Sequence, residues 1–284
     1  MDVVITVIAV IIVIMMWIIL YDSNRFVLQQ YRLQDPRIRR SVRMVVLADL
    51  HNKRYGRDNE KLLQAIDECH PDMILIAGDI LTAKPRAKLD VAVDLLTRLA
   101  EKYPIYYANG NHEHRLKLYP ETYGDMGERY EEALQKIGIH RLVNEHSDLA
   151  DAGIRIYGSE IDRKYYKRFG ILPMETEYLD SILGQPSGEW YSILIAHDPD
   201  YFPQYAEWGA DLVLAGHVHG GMVRVPFWGR GVISPNVRLF PKYDGGRFER
   251  GQAVMLLSRG LGMHTIPIRL FNPGEVLVVD LEHE

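Results

Sequence analysis

Five short apolar runs in this 284-residue chain each end in small residues and then, at once, in side chains able to ligate a metal or carry a proton. They read LADLH (47–51), IAGD (76–79), YANGNHE (107–113), IAHD (195–198) and LAGHVH (214–219). Taken singly, each is weak: a strand-terminal Asp caps turns, Gly-Asp and Gly-Asn are ordinary turn pairs, and a lone His is more often a structural hydrogen-bonder. The recurrence carries the chemistry. In open α/β sheets ligands bind beyond the carboxyl ends of the strands, so five such ends would converge Asp49, His51, Asp79, Asn111, His112, His197, His217 and His219 on one pocket. Even seven ligands are too many for one ion that must also admit substrate and water, so two metals are expected, with Asp79 as the bridging carboxylate. An oxygen and nitrogen set without thiolates suits two divalent ions such as Mn, Fe or Zn, with Mn favoured, and is a poor match to Mg or Ca.

The elements that must hold these residues follow from periodicity. VRMVVLA (42–48) and MILIA (73–77) read as buried strands, and Leu62, Leu63 and Ile66, then Leu89, Val93, Leu96 and Leu99, recur at helical spacing. The alternation continues through IYYA, the 130–137 segment, RIYG, the 174–183 segment, SILIA and DLVLA, with AVMLLS and VLVVDL as late strands. This is α/β patterning.

Residues 1–21 differ in kind. From Val3 to Leu20 no charge appears, a length sufficient as a helix to cross a bilayer core, and Trp17 and Tyr21 fall where interfacial aromatics belong. A cleaved signal peptide is disfavoured by the missing basic n-region and the missing small-x-small site. A single-pass anchor is expected. Only Asp2 precedes the helix, whereas Arg25, Arg32, Arg37, Arg39, Arg40 and Arg43 follow it, which by the positive-inside rule places the catalytic domain in the cytoplasm. Residues 22–41 lack a clean period and read as a juxtamembrane connector, leaving 42–284 as the folded domain.

Composition removes other classes. The net charge of −5 is spread without single-sign blocks, so nucleic acid is not an expected partner. The single cysteine, Cys69, makes neither an internal disulfide nor a multi-cysteine zinc site. It precedes a proline rather than a phosphate-cradling loop, and no G-x-x-x-x-G-K-[ST] is present, which disfavours cysteine-phosphatase and P-loop chemistry.

In order, D-x-H, G-D, G-N-H-[DE], a lone His and G-H-x-H form a set that resembles the calcineurin-like metallophosphoesterase superfamily. GHVHGG, SRGLG (258–262) and PIRLFNPGE (267–275) look like its bacterial membrane-associated subgroup, which includes hydrolases of lipid-linked nucleotide sugars. The resemblance implies a four-layer αββα sandwich with two mixed β-sheets. It implies that Asp49, His51 and His219 hold one metal, that Asn111, His197 and His217 hold the other, and that Asp79 bridges both. His112 is then a proton donor to the leaving group, oriented by Glu113. The reaction expected is hydrolysis of a phosphodiester, phosphomonoester or pyrophosphate bond by a metal-bridging hydroxide, on a phosphorylated small molecule or a lipid-linked substrate. The alternative is a membrane scaffold that keeps the fold without the reaction; such scaffolds usually lose ligands, and all seven are present here. The loop Met222–Trp228 reads as packing on the fold, with lining a substrate cleft or touching lipid as alternatives, and His114 and His264 read as surface or structural histidines.

Overall fold

The computed structural model describes residues 2–167, 170–175, 177–235, 237–263 and 268–284. His264 lies outside them. The strands are β1 (Phe26–Gln34), β2 (Val42–Leu47), β3 (Met73–Ala77), β4 (Ile105–Ala108), β5 (His140–Arg141), β6 (Glu145–Leu149), β7 (Ile154–Ser159), β8 (Tyr191–Ala196), β9 (Leu212–Ala215), β10 (Val223–Arg224), β11 (Gly231–Ile233), β12 (Gly246–Arg250), β13 (Ala253–Leu257) and β14 (Gly274–Glu282). The helices are α1 (Asp2–Ser23), α2 (Glu60–Glu68), α3 (Asp90–Ala100), α4 (Asn111–Leu118), α5 (Pro120–Tyr123), α6 (Met126–Ile137), α7 (Glu177–Leu183) and α8 (Phe202–Trp208).

Two six-stranded mixed sheets, ordered β1-β14-β2-β3-β4-β5 and β12-β13-β9-β8-β7-β6, face one another. The central strands are apolar on both faces because each face meets a different layer, and period-two alternation divides their side chains. In β2, Val45 and Leu47 point to the helices α2, α3 and α6, while Met44 and Val46 enter the inter-sheet core. In β8, Ile193 and Ile195 enter that same core, while Leu194 and Ala196 pack against α7 and α8. Three buried clusters therefore separate four layers, as the αββα expectation requires. The strands β2, β3 and β4 run parallel in one sheet and β8 and β9 parallel in the other, so their carboxyl ends lie along the same edge of the sandwich.

The segment 22–41, read as a connector, is different. β1 pairs in parallel with β14 in unbroken register from Phe26 opposite Gly274 to Gln34 opposite Glu282. Ile38 is fully buried, and Arg37 donates to Asp35, to Asp211 and to the Trp190 carbonyl. The sequence concealed this strand because β1 is an edge strand with an exposed run, Leu28 to Gln30, in which apolar and polar residues do not alternate. A fragment beginning at residue 41 would lose β1 and leave β14 with an open edge.

α1 is one helix long and apolar enough to span a bilayer, and none of that span is buried against the rest of the chain. Trp17 and Tyr21 stack at 5.6 Å near its end. The following residues tie it down: Asp22, buried, bonds Arg25 and accepts from the backbone N–H of Asn272.

Candidate metal centre

Each ligand-bearing loop begins where a central strand stops. The β2–β3 pairing continues into them: the Asp49 N–H donates to the Gly78 carbonyl and the His51 N–H to that of Asp79, both at 3.0 Å. Asp49, His51, Asp79, His217 and His219 all have φ between 49° and 72°, a left-handed conformation that non-glycine residues adopt at a cost of about 1 kcal/mol or more each. Such strain persists where the surroundings over-determine it, and five of the residues the sequence singled out carry it. The glycines of G-N-H and G-H have a steric reason. A Cβ on Gly110 would land on the Asp79 carboxylate, and one on Gly216 on that of Asp49.

The two sheets meet through these side chains. His197, from β8, places Nδ1 2.6 Å from the Ala77 carbonyl at the end of β3, and the His217 N–H donates to both Asp49 carboxylate oxygens at 3.0–3.1 Å. His219 Nδ1 lies 3.0 Å from the Gly262 carbonyl. With Nδ1 bonded to a backbone carbonyl, His197 and His219 are fixed as the tautomer that offers Nε2 as ligand. Those Nε2 atoms point inward: His197 Nε2 is 3.1 Å from Asp79 Oδ2, and His219 Nε2 is 3.3 Å from His51 Nε2 and 3.5 Å from Asp49 Oδ1.

The ligand atoms fall into three overlapping sets, each within 4.8 Å: Asp49, His51 and His219; Asp79, His197 and His217; and His51, Asp79 and His112. Ligands about 2.1 Å from one ion stand about 3.0–3.4 Å from each other, which is the spacing of the closest pairs here. Asn111, at the N-terminus of α4, adds a buried Oδ1 with no hydrogen-bond partner among the described residues, an acceptor suited to a cation.

Charge makes the same demand. Burial pushes the Asp49 carboxyl up to about 7. Burial also opposes ionisation of Asp79, but the surrounding His197, His112 and His51 hold it well below the usual carboxylate range. Burial disfavours the His197 imidazolium, yet Asp79 and Asp49 outweigh it and raise its pKa to about 10. Two buried carboxylates among imidazoles require positive charge between them, which protons or divalent ions can supply. The donor set fits divalent metal.

His112 is buried, and its backbone N–H donates to Asp79 Oδ1 at 2.8 Å. Its Nδ1 accepts from the Ala83 N–H at 2.8 Å, so in the neutral ring the proton sits on Nε2. Glu113 does not take the orienting role expected of it. Its carboxylate accepts from the N–H groups of Asp79, Ile80 and Gly110 and from the Tyr107 hydroxyl, at 2.8–3.0 Å, and so staples the β3 loop to the start of α4. Glu113→Gln would set an amide N–H₂ against these donors. A loss of about 2 kcal/mol of stability is expected in denaturant unfolding, together with weaker metal binding because Asp79 is displaced.

Several supporting residues lie outside the five motifs. Arg269, fully buried, donates to the carbonyls of Arg259, Gly260 and Gly262, which shapes the loop that orients His219. Asn272 donates from its side chain to the His219 carbonyl at 2.8 Å. Both come from the PIRLFNPGE stretch and the carbonyls that Arg269 bonds come from SRGLG, so these later motifs buttress the G-H-x-H loop. The ring of Tyr166 lies over the pocket, 5.6 Å from that of His217 and 6.4 Å from that of His197. Nothing in its local sequence marked it. His114 pairs with Glu160 at 3.9 Å.

A two-sheet sandwich whose facing strand ends gather Asp, His and Asn donors suits a metal-dependent hydrolase. Sequence comparison agrees: residues 42–221 match the profile of calcineurin-like phosphoesterases, and the chain belongs to that family. It is 27% identical over 246 residues to the uncharacterized metallophosphoesterase YkuE of Bacillus subtilis, covering 84% of this chain and 79% of that protein. It is 24% identical over 244 residues to the phosphodiesterase YaeI of Escherichia coli, covering 84% and 82%. A Danio rerio transmembrane protein with a metallophosphoesterase domain is 25% identical over 261 residues, covering 87% of this chain and 54% of that one.

Proposed function

We propose that this phosphoesterase is a two-metal hydrolase of phosphodiester, phosphomonoester or pyrophosphate bonds, held at the membrane by α1 with its catalytic domain in the cytoplasm. The observation that carries the two-metal reading is the division of the buried donors into sets around Asp49 and Asp79, with the unpartnered Asn111 Oδ1 beside them. Asp49, His51 and His219 would hold one ion, Asn111, His197 and His217 the other, and Asp79 both. Bound there, two divalent ions, Mn favoured over Fe or Zn, would activate a water as nucleophile and neutralise phosphoryl oxygens. The protein's own part is to fix these ligands through backbone bonds and to offer the Nε2 proton of His112 to the departing oxygen. The E. coli relative's name favours diesters, and the zebrafish relative's name supports a membrane location. A phosphorylated substrate carried on a lipid or a nucleotide suits an enzyme anchored in this way.

The full chain in detergent, supplied with Mn²⁺, is expected to hydrolyse a chromogenic phosphodiester faster than the monoester, and chelation should abolish both. Bound metal without turnover on either would leave a narrow pyrophosphate substrate or a silent scaffold.

A further inference from the structure

Among the described residues, large apolar side chains are exposed chiefly along α1 and in a second group made by Phe227, Trp228, Leu239, Phe240 and Phe271. Trp228 is 65% exposed, Leu239 68% and Phe240 52%, and Phe227 is fully exposed. The group is held together. Trp228 and Phe240 stand 6.4 Å apart at their ring centroids, and Leu239 bridges to Ile233 in the β10–β11 hairpin. Phe227, Phe240 and Phe271 all have φ between 47° and 65°, a conformation bulky residues rarely take. The backbone thus holds these exposed rings at a conformational cost.

The second group is continuous with α1. Leu270 exchanges backbone bonds with the hairpin, donating to the Met222 carbonyl and accepting from the Arg224 N–H. Phe271 follows, and then Asn272, which donates through its backbone to Asp22 at the end of α1 and through its side chain to the His219 carbonyl. One three-residue stretch therefore joins the membrane-proximal end of the helix, the apolar hairpin and the ligand loop. Cations stand at the same end: Arg25 lies over the Tyr21 ring at 4.8 Å, and Lys53, two residues beyond His51, bonds Asn24 at 2.9 Å. Aromatic rings beside cations are the side chains that settle at the headgroup level of an anionic bilayer.

We propose that Phe227, Trp228, Leu239, Phe240 and Phe271 form a second membrane contact, which docks the rim of the metal pocket onto the surface of an anionic phospholipid bilayer. The proposal rests on α1 being a membrane anchor. The rings enter the interface by about 5–10 Å, and α1 fixes the orientation of the domain by entering beside them. A phosphoryl group at headgroup depth then meets the pocket without its lipid leaving the bilayer, whereas a soluble substrate must enter between protein and membrane.

The test uses the full chain carrying Cys69→Ser, reconstituted in vesicles of phosphatidylcholine with a minority of phosphatidylglycerol, and labelled with bimane at one new cysteine: Trp228→Cys, Leu239→Cys, Leu20→Cys, or Glu132→Cys on the outer face of α6. Metal content checks that each variant is folded. Brominated phosphatidylcholine is expected to quench the labels at 228 and 239 to the same extent as that at 20, and to leave the label at 132 unchanged. Quenching at 20 without quenching at 228 and 239 would overturn the docking while sparing the anchor. No quenching at 20 would overturn the anchor itself, and the docking with it. Labels at 228 and 239 that resist aqueous iodide but are untouched by brominated lipid would assign the patch to a second copy of the chain and overturn the proposal.

Discussion

Asp79→Asn is expected to abolish metal binding and turnover together. Asp79 Oδ2 lies 3.1 Å from His197 Nε2 and 3.7 Å from His51 Nε2, so it reaches both donor sets, and it stands closer to His197 than Asp49 Oδ1 does at 3.8 Å. The amide removes the negative charge and turns one lone-pair oxygen into an N–H₂ aimed at imidazole nitrogens. Removing metal stabilisation worth several kcal/mol corresponds to a fall in kcat/KM of about 10³-fold or more. Metal per chain, measured by inductively coupled plasma mass spectrometry beside steady-state kinetics, checks it. Near-normal metal content with unimpaired turnover would mean that Asp79 bridges nothing. The Asn amide oxygen can still accept from the His112 N–H that bonds Asp79 Oδ1, and bonds such as the Asp49 N–H to the Gly78 carbonyl are untouched, so the variant should fold.

His112→Ala is expected to behave differently, keeping both metals and losing turnover by about 10²- to 10⁴-fold. The basis is the Ala83 N–H bond to Nδ1, which leaves the proton on Nε2. The loss should shrink for a substrate whose leaving group is a nitrophenolate, because such an oxygen departs without needing a proton, and grow for an alkoxide. That leaving-group dependence separates proton donation from a merely structural role. His112 also shares a ligand-atom set with His51 and Asp79. A drop in metal content in this variant would make it a ligand and sink the acid role.

Much of the clustering of the candidate donors could be read in advance for one physical reason: each candidate donor follows closely on the end of a buried strand, and a run such as LVLA-G-H-V-H displays both strand and donor within a few residues. What could not be read were the residues acting over distance. Glu113 was legible as a neighbour of His112, but its partners, the amides of Asp79 and Ile80, come from another strand end. Tyr166 and Arg269 reach the pocket only because the chain returns to it.

By itself the sequence determined the α/β class, the apolar N-terminal helix and the identities of the clustered donors, because periodicity and strand-end chemistry are local properties. Tertiary structure alone decided three further things. It made residues 26–34 a strand of the first sheet, since an edge strand is defined by the partner it finds in β14. It made Glu113 a staple between loops, and it placed Gly262 and Asn272, from the two late motifs, beside His219. Pairing partners and hydrogen bonds between residues some 250 positions apart, such as Asp22 and Asn272, exist only once two sheets have packed face to face, and no local pattern encodes them.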